Sequence, residues 1–300
     1  MIVQEVSAIK NEVLKVLSYY NIFKHPLLPD EICRFIHLRA EKKDIIATLH
    51  TLEEEREVFC HHGFYGLADD NMLAEKRIAG ERRAAEELQK AVKAGRLISF
   101  FPFVRFVGIS GSLSKHYADD STDYDFFIVT APGRLWICRT LLHLFKKITF
   151  LTGRQHAFCM NYFVDESALA IEDRNSFVAY EIATLIPVYN QTLYTTFMHS
   201  NSWIRQEMPQ YRETQEAIYN RRPRLQRFTE WCLGVLPLGR LNAMLMRLTD
   251  QRWRRKWESR GFPMDNYGLA FRTRINVSKN HPRNHQKMIL DKQKKKTLTF

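Results

Sequence analysis

Val104–Thr130 reads VRFVGISGSLSKHYADDSTDYDFFIVT, and the rest of the chain is organised around it. Two apolar runs, Val104–Ile109 and Phe126–Val129, bracket a polar loop. Both are rich in Val, Ile and Phe and short enough for buried strands. The first run ends in Ser110-Gly111-Ser112 and the second begins at Asp123-Tyr124-Asp125. Gly111 lets the backbone approach a ligand closely, and Ser112 sets a hydroxyl and an amide beside it. On an extended strand, residues i and i+2 project from one face, so Asp123 and Asp125 sit side by side at the mouth of a strand. Carboxylates held that close repel unless a cation joins them or one takes up a proton. Mg2+ suits such a pair, because it prefers oxygen ligands and commonly takes one or two carboxylates plus substrate phosphates. A glycine-serine turn delivering amides to phosphate, beside a metal-holding carboxylate pair, is an arrangement for phosphoryl transfer. The plainer alternative is that the two aspartates only cap a strand after the turn Asp119-Asp120-Ser121-Thr122.

Gly111-Ser112, ten intervening residues, Asp123-x-Asp125 and the apolar Phe126-Phe127-Ile128-Val129 resemble the signature of the DNA polymerase β-type nucleotidyltransferases, with the spacing of the small bacterial members. The resemblance runs from Val104 to about Val164. It implies that Ser110, Gly111 and Ser112 grip the triphosphate of an NTP, ATP first. It also implies that Asp123 and Asp125 bind Mg2+, with Mn2+ able to substitute. Lys115 stands where Arg is common in that family, and His116 where many members have Gly. A third carboxylate usually lies on a later strand. Here that strand is His156–Asp165, and its central polar residue is Asn161, which can coordinate or hydrogen-bond but cannot act as a general base. Asp165 ends the strand on the same face, and Glu172, Asp173 and Glu181 are more distant carboxylates.

Upstream, residues 1–70 read as a small helical domain closed by a hairpin. Val6, Ile9, Val13, Leu14, Leu17 and Tyr20 stripe a first helix, Pro29-Asp30-Glu31 opens a second, and Ile45, Leu49 and Leu52 mark a third. Val58–Cys60 and Phe64–Leu67 form short strands about His61-His62-Gly63. Three helices and a β-wing resemble a winged helix-turn-helix domain. DNA reading needs cationic and amide side chains toward the groove, and the run Glu53-Glu54-Glu55 opposes phosphate, so docking or dimerisation fits this unit better. Asp70–Leu97 is a long connecting helix whose Lys76, Arg77, Arg82 and Arg83 either face the nucleotide or lie on a solvated face.

A helix follows Pro132-Gly133, and another from Glu172 to Ile186 is stopped by Pro187. Pro223–Arg260 is an amphipathic helix pair broken at Pro237-Leu238-Gly239, with Trp253 and Trp257 packed inward. Phe271–Arg283 is a basic polar loop whose Arg272, Arg274, Lys279 and Arg283, with Lys287 beyond, either bind phosphate in the active site or belong to a flexible tail. The chain beyond Leu290 is expected to be disordered. The fold class is mixed α+β. A nucleotidyltransferase-fold sheet with flanking helices (71–190) lies between the winged-helix-like domain and a helical C-terminal region with a basic tail (191–300).

The net charge is +12. Gln251–Phe300 holds 14 Lys and Arg against 3 acids, so nearly all the excess sits there and offers a surface to nucleic acid, anionic lipid or phosphorylated substrate. No apolar run is long enough to span a membrane, and the first residues lack a signal-peptide core, so a cytoplasmic protein with no membrane partner is expected. Five scattered cysteines without C-x-x-C spacing point to reduced, mostly buried thiols and away from zinc.

The leading functional expectation is a Mg-dependent nucleotidyltransferase moving an NMP group from an NTP to an acceptor hydroxyl on a metabolite, a protein or an RNA end, with release of pyrophosphate. A different class is a non-catalytic nucleotide-binding regulator whose winged-helix domain binds DNA or a partner. Asn161 favours the second. An RNA-end modifier rests on the basic C-terminal segment alone.

Overall fold

The computed structural model describes residues 2–150, 157–213, 216–282, 284 and 286–291. The fold is mixed α+β. Helices α1 (Ile2–Asn21), α2 (Pro29–Phe35) and α3 (Lys42–Glu54) precede a two-stranded hairpin, β1 (Phe59–His61) and β2 (Phe64–Gly66). Helix α4 (Asn71–Ser99) is capped by Asp70, whose carboxylate accepts from the Met72 amide, and it leads into β3 (Val104–Ser110). Next come β4 (Asp125–Thr130), α5 (Leu135–Phe150), β5 (Cys159–Asp165), α6 (Ser176–Ala183) and β6 (Ile186–Tyr189). The helices α7 (Gln191–Ser200), α8 (Ile204–Glu207), α9 (Arg224–Leu233), α10 (Leu238–Glu258) and α11 (Tyr267–Ala270) are followed by β7 (Phe271–Arg274) and β8 (Val277–Asn280).

Six strands form one mixed sheet in the order β6-β3-β4-β5-β8-β7, in which β4 and β5 run parallel and the other neighbours antiparallel. Alternation along β3 and β4 loads both faces. Phe106, Phe127 and Val129 point into a core shared with α1–α3 and α6–α8. Val107, Ile109, Phe126 and Ile128 point into a second core with α4, α5 and the start of α10. A sheet buried on both sides needs such near-continuous apolar runs. The helices of residues 1–54 therefore pack directly on the sheet's own covering: Tyr180 of α6 stacks 4.0 Å from Tyr19, with Tyr20 and Phe35 at its edges.

Several expectations need correction. The helix expected over Glu172–Ile186 occupies only Ser176–Ala183. Pro187 does not stop that helix; it lies in β6, opposite Gly108, on the edge of the sheet where a missing N–H is tolerated. The basic polar loop over Phe271–Arg283 is the β7–β8 hairpin, which extends the sheet from β5. Its cations are neutralised: Arg272 and Lys279 bind Asp173 at 2.8 and 3.2 Å, and Arg274 pairs with Glu172. Lys287 pairs with Asp291 at 2.7 Å, while Arg283 and the chain from 292 onward lie outside the described residues. Cys138 is buried, Cys33, Cys60 and Cys159 are half-buried, Cys232 is exposed, and all five are free thiols. Among the described residues no helix is long and apolar enough to cross a membrane.

Candidate functional site

The polar loop between β3 and β4 is braced along its length by α4. Arg77 of that helix is buried and donates to the His116 carbonyl at 3.1 Å. The Ala118 amide donates to the Gly80 carbonyl at 3.2 Å, and a Cβ on Gly80 would meet the Tyr117 ring at 2.4 Å, so only glycine lets the loop dock there. Further on, Tyr124 donates to Glu87 and Arg83 pairs with Asp120 at 2.8 Å. Of the four cations on α4 considered as nucleotide contacts, Arg77 is spent on Glu31 and Glu81, at 2.7 and 2.8 Å.

The loop's first turn brings the two halves of the motif together. Ser110 and Asp125 are directly paired across β3 and β4. Gly111 has φ +73°, and a Cβ built on it would lie 2.5 Å from Asp125 Oδ2. Both facts demand glycine: the left-handed backbone, and the lack of room against the carboxylate. Ser112 is exposed and starts a short 3-10 turn over Leu113–Lys115, which ends at His116 with φ +54°. His116 thus takes a left-handed backbone conformation that glycine adopts more readily.

Asp125 is half-buried at the head of β4. Burial pushes its carboxyl up to about 6, against a hydrogen bond from the Cys159 thiol; the charges of Glu181 and Asp123 raise it further, and Lys115 opposes them. Cys159 is itself pushed to about 12, chiefly by burial, so its thiol keeps the proton it donates. Asn161 is the extra residue of a bulge in β5: Phe126 pairs with Met160 and Phe127 with Tyr162. The bulge aims Asn161 at the site, with Nδ2 3.4 Å from Asp125 Oδ1 and 3.0 Å from Cys159 Sγ. Lys115 Nζ donates to the Gly111 carbonyl at 3.1 Å and to Glu181 Oε1 at 2.7 Å.

Ser110, Gly111, Lys115, Asp125 and Asn161 are therefore neighbours, and Glu181, one of the more distant carboxylates of the sequence, joins them from α6. The sequence offers it only as a distant carboxylate on an apolar helix; its partner Lys115 is 66 residues away, a pairing no local signal carries. The other candidate carboxylates have structural partners. Asp165 is buried and accepts from the Gly133 amide and from Ser167. Glu172 and Asp173 hold the β7–β8 hairpin.

Among the described residues no cluster of three His, Cys, Asp or Glu forms a ready metal shell. Asp123 and Asp125 are nevertheless oxygen donors of the kind Mg2+ takes, one or two carboxylates at a time. Asp125 feels two further carboxylates, and the adjacent ammonium, Lys115, is already engaged by one of them, Glu181. A divalent cation would relieve that excess negative charge. Comparison with known proteins finds no matching family model, and neither a curated protein nor a solved structure matches the chain significantly.

Proposed function

We propose that the chain is a nucleotidyltransferase that moves a nucleoside monophosphate from an NTP to an acceptor hydroxyl. The carrying observation is the left-handed Gly111 packed against the Asp125 carboxylate, with Asp123 two residues before it. In this reading Asp123 and Asp125 hold Mg2+, which supplies charge neutralisation at the phosphates when bound. The Ser110-Gly111-Ser112 turn seats the β- and γ-phosphates against a backbone with no Cβ in the way. Lys115 binds the Gly111 carbonyl and Glu181 at once, tying the turn to α6. The acceptor oxygen attacks the α-phosphorus in line, the bond to the bridging oxygen breaks, and pyrophosphate leaves. The hydroxyl proton passes to water, because Asn161, which β5 turns toward Asp125, cannot take it. Phosphoryl transfer leans on positioning and charge more than on a strong base, so this is sufficient chemistry.

The test is transfer of label from an α-phosphate-labelled NTP with Mg2+, using cell extract as the source of acceptor. Asp123→Asn with Asp125→Asn should abolish both labelling and pyrophosphate release; undiminished labelling in that double variant overturns the proposal. Asn161 supports a second reading, a nucleotide-binding regulator, since β5 offers an amide where a carboxylate would serve catalysis. Calorimetry showing ATP binding with no pyrophosphate released from any acceptor selects that alternative.

A further inference from the structure

Helix α9 is folded inside out. Its inward face is polar and firmly held: buried Gln226 donates to the carbonyls of Ser99, Phe101 and Val104, at 3.1, 3.0 and 2.6 Å. One turn on, Glu230 binds both guanidinium nitrogens of Arg105, at 2.8 and 3.0 Å, and accepts from the Phe103 amide at 2.7 Å. With those residues fixed inward, Leu225, Phe228 and Trp231 face out, while Leu233 at the end of the helix packs against the core. Leu225 is 56%, Phe228 61% and Trp231 75% exposed, and the hinge to α10 continues the patch with Val235 at 85% and Leu236 at 46%. Spacing of three to four residues puts the first three on one side of the helix. A run of large apolar groups in water, held out by a polar anchor behind it, marks a contact surface.

The charge around the patch identifies the occupant. From Arg221 to Leu248 the chain carries six arginines, no lysine, no aspartate and a single acid, Glu230. That acid is already consumed by Arg105 and Arg222. Arg221, Arg224, Arg227, Arg240 and Arg247 are exposed. We propose that α9 and the hinge after it rest on an anionic membrane surface. Phe228, Trp231, Val235 and Leu236 would enter the boundary between headgroups and acyl chains, and the flanking arginines would meet lipid phosphates. Aromatic and aliphatic residues on one face, cations beside them and few acids make the pattern of a helix that lies in the interface. A second copy of the chain would set these arginines against their own kind. Nucleic acid would stack on the two rings but leave Leu225, Val235 and Leu236 without a partner. Lying on a bilayer requires no membrane-crossing helix.

The full-length chain is to be sedimented with vesicles of phosphatidylcholine alone and with vesicles carrying about one-third phosphatidylserine. The wild type should pellet with the anionic vesicles and not with the neutral ones, and binding should weaken as salt rises above about 0.15 M. Phe228→Ser with Trp231→Ser changes only exposed rings and should weaken vesicle binding by about tenfold or more. Trp231→Phe should keep vesicle binding but lose the fluorescence quenching that brominated acyl chains produce in the wild type. Three results overturn the proposal: no pelleting with anionic vesicles, pelleting unchanged in the double serine variant, or quenching unchanged in Trp231→Phe. A wild-type dimer or an RNA complex abolished by the serine variant, with vesicles left unbound, would assign the patch to that partner instead.

Discussion

Asp125→Asn should make the metal-free protein more stable, and only above acid pH. The carboxyl is raised from an ordinary 3.8 to about 6, mainly because it is buried. A raised acid is favoured as the neutral form in the folded state. The folded protein therefore bears no penalty below the unfolded value of 3.8 and an increasing one as pH climbs to about 6, above which the penalty is complete. At roughly 1.4 kcal/mol per tenfold, that difference amounts to about 3 kcal/mol. An asparagine keeps the shape and an oxygen to accept from Cys159, but never ionises. In chelator-treated buffer, urea unfolding of wild type and Asp125→Asn should differ by about 2–3 kcal/mol near pH 8, with the variant the more stable, and the gap should close toward pH 4. Added Mg2+ should then raise the midpoint of the wild type and leave the variant unmoved, because a ligand stabilises only the state that binds it. If Asp125→Asn is no more stable than wild type at pH 8, or its advantage persists unchanged at pH 4, the picture of an electrostatically strained, cation-seeking carboxylate is wrong.

Gly111→Ala should cost about 1–2 kcal/mol from the left-handed backbone alone, and its new methyl should push Asp125 aside; loss of the Mg2+-induced rise in melting temperature checks the second effect. Glu181→Gln removes the strongest negative influence on Asp125 and frees Lys115, so the Asp125 carboxyl should titrate at lower pH, as read by carboxyl NMR. Gln226→Leu leaves three carbonyls without their donor and should destabilise the fold by about 2–4 kcal/mol in urea unfolding.

The strands around the loop were legible because both their faces are buried: Val104–Ser110 and Asp125–Thr130 lie within a residue of the apolar runs that announce them. Helical periodicity likewise announced α3 and α4. Strand β6 was not legible, since four residues containing a proline read as the end of a helix, and only the sheet edge beside Gly108 makes them a strand. Strands β7 and β8 were hidden by their cations, whose partners Glu172 and Asp173 lie about a hundred residues earlier in the chain. Within the candidate site the glycine, the serine and both aspartates could be read from spacing. The bulge that turns Asn161 toward Asp125 and the Lys115–Glu181 pair could not, because each depends on a register that only the assembled sheet defines.

Helix α6 reaches in two directions at once: Tyr180 lies among Tyr19, Tyr20 and Phe35, while the next residue, Glu181, holds Lys115. Arg77 does much the same from α4, joining Glu31 of α2 to the His116 carbonyl. Trimming the gene to begin near residue 70 would therefore not yield a self-sufficient fragment. It would strip the aromatic seat from under Tyr180 and leave the Arg77 guanidinium without one of its two carboxylates, so the excised piece would carry every signature residue and still lack the scaffold that aligns them.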